Sequence, residues 1–200
     1  MSRFVSPVPT PSAVDEVRSC LRTNLSLYAT EVTLVAKILT VSDSVAAGEQ
    51  ADESGPRLAA RLEKAGYQVS ERRVVPDGID SVASALRELS QGFAGLVITT
   101  GGTGFSARDL TPEATLQVLD REAPGFGEVM RATHPLGPLS RGRSGTLGQT
   151  LIVNTPGSPT GALECLESIL ELLDHALATL HGEVGHHHPP EIGGSTAISS

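Results

Sequence analysis

Several short stretches of this 200-residue chain carry residue types suited to phosphate and metal chemistry. The densest is Gly101-Gly102-Thr103-Gly104-Phe105-Ser106-Ala107-Arg108-Asp109-Leu110. Its glycines let backbone N–H groups approach an anion closely, while Arg108 offers a cation contact and Asp109 a metal or proton contact. Related chemistry recurs at Ser42-Asp43-Ser44, Ser54-Gly55-Pro56, Pro76-Asp77-Gly78 and Gly157-Ser158-Pro159. Asp77 and Asp109 together could hold Mg²⁺ against phosphate oxygens, as hard cations are usually bound. Pro-Asp-Gly is also a common turn sequence, so Asp77 has a purely structural reading as well.

These residues need a frame, and the apolar pattern supplies one. Strands are predicted over 32–41, 69–75, 95–100 and 150–154, with apolar positions at helical spacing between them. Leu58, Leu62 and Ala65 mark one helix, stopped by Gly66, and Val82, Leu86 and Leu89 mark a second. Helices are expected from 111 to about 121 and around 127–133, and the span 135–148 reads as a loop. Leu166, Ile169, Leu173, Leu177 and Leu180 form the apolar stripe of the longest helix. Alternation of this kind implies an α/β protein, a three-layer α/β/α sandwich with a mostly parallel sheet.

Ligands of such sheets bind beyond the carboxyl ends of the strands. At Ser54-Gly55-Pro56, Thr111-Pro112 and Gly157-Ser158-Pro159 a Ser, Thr or Gly falls where an N-cap is wanted, with Pro at the start of the helix. Three helix starts are thus expected to face one rim, each with unsatisfied N–H groups that attract anions.

The net charge of −8 disfavours general binding to nucleic acid or anionic membranes, and the 3% aromatic content disfavours stacking platforms for single strands. Cys20 and Cys165 form neither a metal motif nor a disulfide framework, and no secretory leader is evident, so a cytoplasmic setting is expected. One domain over 31–183 is expected between a proline-containing extension (1–30), with a short helix through Val14, Val17 and Leu21, and a disordered tail (184–200). His186, His187 and His188 fall in that tail.

Gly102-x-Gly104-x-x-Ala107 superficially matches a dinucleotide fingerprint, but that motif runs straight into its helix, whereas here Arg108 and Asp109 precede the helix-starting Pro112. A Walker A loop is excluded by the lack of a Gly-Lys-Ser/Thr sequence. A phosphate or pterin cradle of another kind remains.

Thr99-Thr100-Gly101-Gly102-Thr103-Gly104 with Arg108-Asp109-Leu110-Thr111-Pro112-Glu113-Ala114-Thr115 resembles the signature of the MogA/MoaB family of molybdenum-cofactor proteins, which includes molybdopterin adenylyltransferase and the gephyrin G domain. Ser42-Asp43, Asp52-x-Ser54-Gly55-Pro56, Val75-Pro76-Asp77, Pro124-Gly125-Phe126-Gly127-Glu128 and Ile152-Val153-Asn154-Thr155-Pro156-Gly157-Ser158-Pro159 resemble further family segments, with Thr155 standing where the family usually has Leu. The resemblance spans about 32–182. It implies a MogA-like, molybdopterin-binding fold, assembled as a homotrimer or larger homo-oligomer. The implied reaction takes molybdopterin and ATP as substrates, with Mg²⁺ as cofactor, to adenylylated molybdopterin and pyrophosphate. By motif position it implies Asp77 and Asp109 as catalytic and metal-holding residues. Ser42, Asp43, Gly101, Gly102, Thr103, Gly104, Gly157 and Ser158 are expected in the binding pocket. A non-catalytic molybdopterin-binding or carrier protein of the MoaB type is the alternative, and a CinA-like nucleotide hydrolase a third reading.

Overall fold

The computed structural model describes residues 34–182. The expected terminal extension, its short helix and the histidine-containing tail lie outside the described residues. Six strands make one sheet: β1 (Val35–Val41), β2 (Gln68–Val75), β3 (Gly95–Thr100), β4 (Arg121–Glu122), β5 (Ser144–Leu147) and β6 (Thr150–Thr155). Their spatial order is β2-β1-β3-β6-β5-β4. The first four are parallel, β5 runs antiparallel to β6, and β4 runs antiparallel to β5. Val41 pairs with Val75, Thr40 with Thr100 and Thr100 with Thr155, so the four parallel strands end together at one edge.

Side chains alternate along each strand and feed two separate cores. Leu96 and Ile98 of β3, Ile38 of β1 and Val153 of β6 pack with Leu58 and Leu62 of α2 (Ser54–Lys64), Met130 of α5 (Pro124–Arg131) and the stripe Leu166, Ile169, Leu173 and Leu177 of α6 (Pro159–Leu180). Val97, Leu39 and Ile152 point the other way, onto Val82, Leu86 and Leu89 of α3 (Ile79–Ser90) and Ala114 of α4 (Thr111–Leu116). The result is the three-layer sandwich. Each fully buried Leu or Ile in these layers contributes about 1.5–3 kcal/mol of transfer free energy. β2, by contrast, is an edge strand that alternates between half-buried and exposed positions, and its Glu71, Arg72 and Arg73 make that edge a poor template for a second chain. Among the described residues no helix is long and apolar enough to cross a membrane.

Three expectations shift. The helix at Thr111 ends at Leu116, and Arg121–Glu122 pair with Thr146 and Gly145 instead of extending it. The following helix starts a turn earlier than its apolar spacing indicated, with Pro124 in its first turn. The span read as a loop holds a short 3₁₀ turn, Gly137–Leu139, and strand β5. Ser144-Gly145-Thr146-Leu147 has no apolar alternation to announce a strand. It forms because the two-residue connection Gly148-Gln149, with Gly148 at φ +56°, folds it back onto β6.

This topology creates two crevices. The crossover from β1 passes through α2 on the first face, β3 leads to α4 on the second, and β6 leads to α6 on the first. Neighbouring strands β1 and β3 thus send their helices to opposite faces, and so do β3 and β6, opening a gap beyond the carboxyl end of each pair.

Candidate active site

A cavity of about 640 Å³ occupies the gap between β1 and β3, and one of about 470 Å³ the gap between β3 and β6. Ser42, Asp77 and Gly101 line the first; Thr103, Gly104 and Ser158 line the second. Gly102, Asp109 and Gly157 line both and form the wall between them.

The first cavity is built from three loops that grip one another. Ser42 caps the short helix α1 (Asp43–Ala46), its Oγ accepting from the Val45 N–H at 3.4 Å. The Asp43 N–H donates to Asp77 Oδ2 at 2.8 Å, and the Asp77 N–H donates back to Asp43 Oδ1 at 3.0 Å. Arg108 closes the arrangement, donating from Nε to Asp43 Oδ2 at 3.0 Å and from Nη2 to Asp43 Oδ1 and the Asp77 carbonyl at 2.9 and 2.6 Å. Asp43, expected as a pocket residue, therefore lies outside both linings: its carboxylate faces Arg108, whose hydrogen bonds lower its pKa. Asp77 behaves oppositely. Burial, together with the nearby charges of Asp43 and Asp109, raises its pKa, while the Asp43 N–H and Arg108 only partly counter this. Asp109 is oriented by the Ser106 N–H, which donates to Oδ2 at 2.8 Å.

Glycine is required where the signature leaves β3. Gly101 (φ +105°) and Gly102 (φ +62°) take left-handed conformations, and a Cβ would stand 2.1 Å from the Val41 carbonyl at Gly101 and 2.3 Å from Thr111 Oγ1 at Gly102.

The helix starts are less uniform than Ser/Thr-Pro spacing suggested. Ser158 does cap α6, accepting from the Gly161 N–H at 3.2 Å. At α2 the N-cap residue is Glu53, which makes no side-chain cap bond, and Asp52 before it accepts from the Gly55 N–H through Oδ1 at 2.9 Å; Ser54 instead donates to the Gly157 carbonyl at 2.7 Å and ties the first loop to the last. Thr111 is the first residue of α4 rather than its cap. A carboxylate that already reaches the N–H leaves the hydroxyl free for a distant partner, a choice local spacing does not reveal.

The second cavity contains residues the motif reading passed over. Arg131 and His134, from α5 and the turn after it, bring a guanidinium and an imidazole to its wall. Asn154 anchors the floor: its Nδ2 donates to Thr99 Oγ1 and Thr115 Oγ1, each at 3.0 Å, and its Oδ1 accepts from the Arg143 N–H at 3.0 Å. Asn154 lies within the Ile152–Pro159 segment that resembles the family. Arg131 and His134 carried no local signal, because only the packing of α5 against α6 turns them to the rim. Cys165 also lines this cavity, but burial pushes its thiol up to about 11, so it is a packing group.

Two apposed cavities sharing a carboxylate and glycine backbone suit a reaction between two phosphate-bearing molecules. Among known families, residues 37–175 match one described as "Probable molybdopterin binding domain". A molybdopterin adenylyltransferase of Haemophilus influenzae is 43% identical over 140 residues, 66% of this chain and 71% of that protein. A solved structure of MogA superposes with a TM-score of 0.70 at 41% identity, covering 73% of this chain and 99% of that one. MoaB from Thermus thermophilus superposes at 0.68 with 44% identity, covering 75% and 98%.

Proposed function

The chain belongs to the molybdopterin-binding family that its residues 37–175 match, and we propose that it is the adenylyltransferase of molybdenum-cofactor biosynthesis. It transfers AMP from Mg-ATP to the terminal phosphate of molybdopterin, releasing pyrophosphate. The observation that carries this reading is the shared wall: Gly102, Asp109 and Gly157 stand between two cavities, where the phosphates of two substrates would meet.

The nucleophile is already an anion, so no strong base is required. The obstacle is repulsion between two phosphates, and positioning and charge neutralisation carry the catalysis. Gly101 to Gly104 and the Gly157-Ser158 start of α6 offer backbone N–H groups to phosphate oxygens. Asp77 and Asp109 would hold Mg²⁺, which neutralises charge on the ATP phosphates when bound. The residues fit that ion: Asp77 and Asp109 line the same cavity, and burial first, then the charges of Asp43 and Asp109, disfavours the Asp77 carboxylate, a cost that a divalent cation relieves. Among the described residues no group of three or more metal-ligating side chains occurs, so substrate oxygens and water would complete the shell. Arg108 neutralises Asp43 and keeps that third carboxylate turned away. The protein works in the cytoplasm as a homotrimer or larger homo-oligomer, which light scattering would measure.

Incubation of the purified protein with molybdopterin and Mg-ATP is expected to yield adenylylated molybdopterin and stoichiometric pyrophosphate. Asp109→Asn is expected to abolish turnover while molybdopterin still binds. Binding without pyrophosphate release by the parent protein would identify a carrier instead.

A further inference from the structure

Arg141 lines neither cavity, yet it holds the glycine-rich signature from behind. Its backbone N–H donates to the Thr103 carbonyl at 2.9 Å and its Nε to the Gly104 carbonyl at 2.8 Å. Its Nη2 donates to the Asp109 carbonyl, and its Nη1 pairs with Glu113 of α4. Phe105 lies with its ring centroid 5.8 Å from the guanidinium. We propose that Arg141 is the positioning residue of the catalytic loop: it sets the orientation of the 103–109 backbone and so places Asp109 between the two substrates. This rests on the adenylyl-transfer reading above.

A trans peptide points its C=O and N–H in opposite directions. Carbonyls of Thr103 and Gly104 held by Arg141 therefore turn the N–H groups of Gly104 and Phe105 away from it. Gly104 itself lines the second cavity. Without the guanidinium the Thr103 carbonyl keeps its bond to the backbone N–H of residue 141, but the Gly104–Phe105 peptide is free to rotate and to present a carbonyl oxygen where an N–H group stood, which repels a phosphate. The loop's own bonds are sparse: Asp109 N–H to the Ser106 carbonyl at 3.0 Å, Leu110 N–H to the Arg108 carbonyl at 2.9 Å, Arg108 N–H to Ser106 Oγ at 3.3 Å, and Ser106 N–H to Asp109 Oδ2. Each closes a turn within 106–110 and leaves the carbonyls of Thr103 and Gly104 to the arginine, with Ser140 Oγ reaching the Thr103 hydroxyl at 3.5 Å. The rigid fork of a guanidinium reaches several acceptors at once, which a lysine ammonium at the end of a flexible stem does not. Glu113 serves as the fork's anchor; its Oε2 is buried without a hydrogen-bond partner.

The test compares Arg141→Ala, Arg141→Lys and Glu113→Gln in the full chain, by adenylyl transfer, molybdopterin affinity, melting temperature and amide hydrogen exchange. Arg141→Ala is expected to lose about 100-fold in kcat, the size of loss that an ångström-scale misplacement can bring, and far less in molybdopterin affinity. The Mg²⁺ concentration giving half-maximal rate should rise several-fold, and Arg141→Lys should rescue little. Glu113→Gln removes the anchor's charge and lowers the melting temperature but leaves the grip on the loop carbonyls, so its kcat should stay within about threefold. Full kcat in Arg141→Ala, or activity that follows melting temperature across all three variants, overturns the proposal. Should the parent protein form no adenylylated product, the proposed function fails by itself. Arg141 is then judged by exchange at 103–109: faster in Arg141→Ala than in Glu113→Gln supports the role, and equal rates overturn it.

Discussion

Gly104→Ala should separate activity from stability in this protein. Gly104 lies outside the left-handed region, so alanine adopts its backbone conformation without strain. The added Cβ would stand 2.9 Å from Asp109 Oδ2, where ordinary contact begins near 3.4 Å, so the carboxylate must retreat by about half an ångström. That oxygen is the tip of a side chain rather than backbone, so its retreat costs the fold only the lengthening of its hydrogen bond from the Ser106 N–H, about 1 kcal/mol or less. The gain from a stiffer unfolded chain, about 0.4–1 kcal/mol, is of the same size, and net stability should stay within roughly 1 kcal/mol. For a chain of this length that corresponds to no more than about 2–4 °C in Tm. Activity responds more strongly. If a displacement of one ångström costs about 100-fold, half of that costs roughly tenfold, or about 1.4 kcal/mol in the barrier. The assay is initial-rate adenylyl transfer at saturating molybdopterin and Mg-ATP, with Tm read on the same preparation. A rate within twofold of the parent protein, or a loss matched by loss of folded protein, refutes the assignment of Asp109 to the reaction.

Gly102→Ala should behave differently, since at φ +62° its Cβ would overlap buried Thr111 Oγ1 at 2.3 Å and approach Asp77 Oδ1 at 3.1 Å. Left-handed strain and overpacking together should cost roughly 2–5 kcal/mol, measurable as a lower urea midpoint at unchanged m-value. Asp77→Asn should abolish turnover yet raise Tm at neutral pH. Because the folded protein raises the pKa of Asp77 above 3.8, the stability that its proton confers is complete below that value and lost as pH rises through the folded pKa. The advantage of the variant should therefore vanish on acidification below about pH 4, and a Tm difference that does not change with pH would contradict this. Asn154→Ala orphans Thr99, Thr115 and the Arg143 N–H in a buried site and should destabilise by about 2–4 kcal/mol, as read by urea denaturation.

What could be read from the residues alone was local. The six-residue run of β3 and the stripe of α6 announce their burial in their own periodicity, because apolar spacing maps directly onto strand and helix faces. The Ser158 cap and the glycines leaving β3 were equally legible, since one helix start or one left-handed residue is a property of a few adjacent positions. The gathering of Ser42, Asp77, Gly101–Gly104 and Gly157 at one edge followed from parallel topology, in which every βα loop emerges on the same side.

The contacts between loops were not legible, and these define the site. Sequence spacing did not reveal that Asp43 would be taken up by Arg108, 65 residues away, or that Ser54 would serve Gly157 rather than its own helix. Strand β5 and the grip of Arg141 on Gly104, 37 residues before it, likewise depend on the hairpin having formed. Propensity and capping act within a turn or two of the chain, so they are written in neighbouring residues. Which carboxylate stays free for a metal, and which carbonyls turn from a phosphate, depends on side-chain reach between segments that meet only after the sheet has closed.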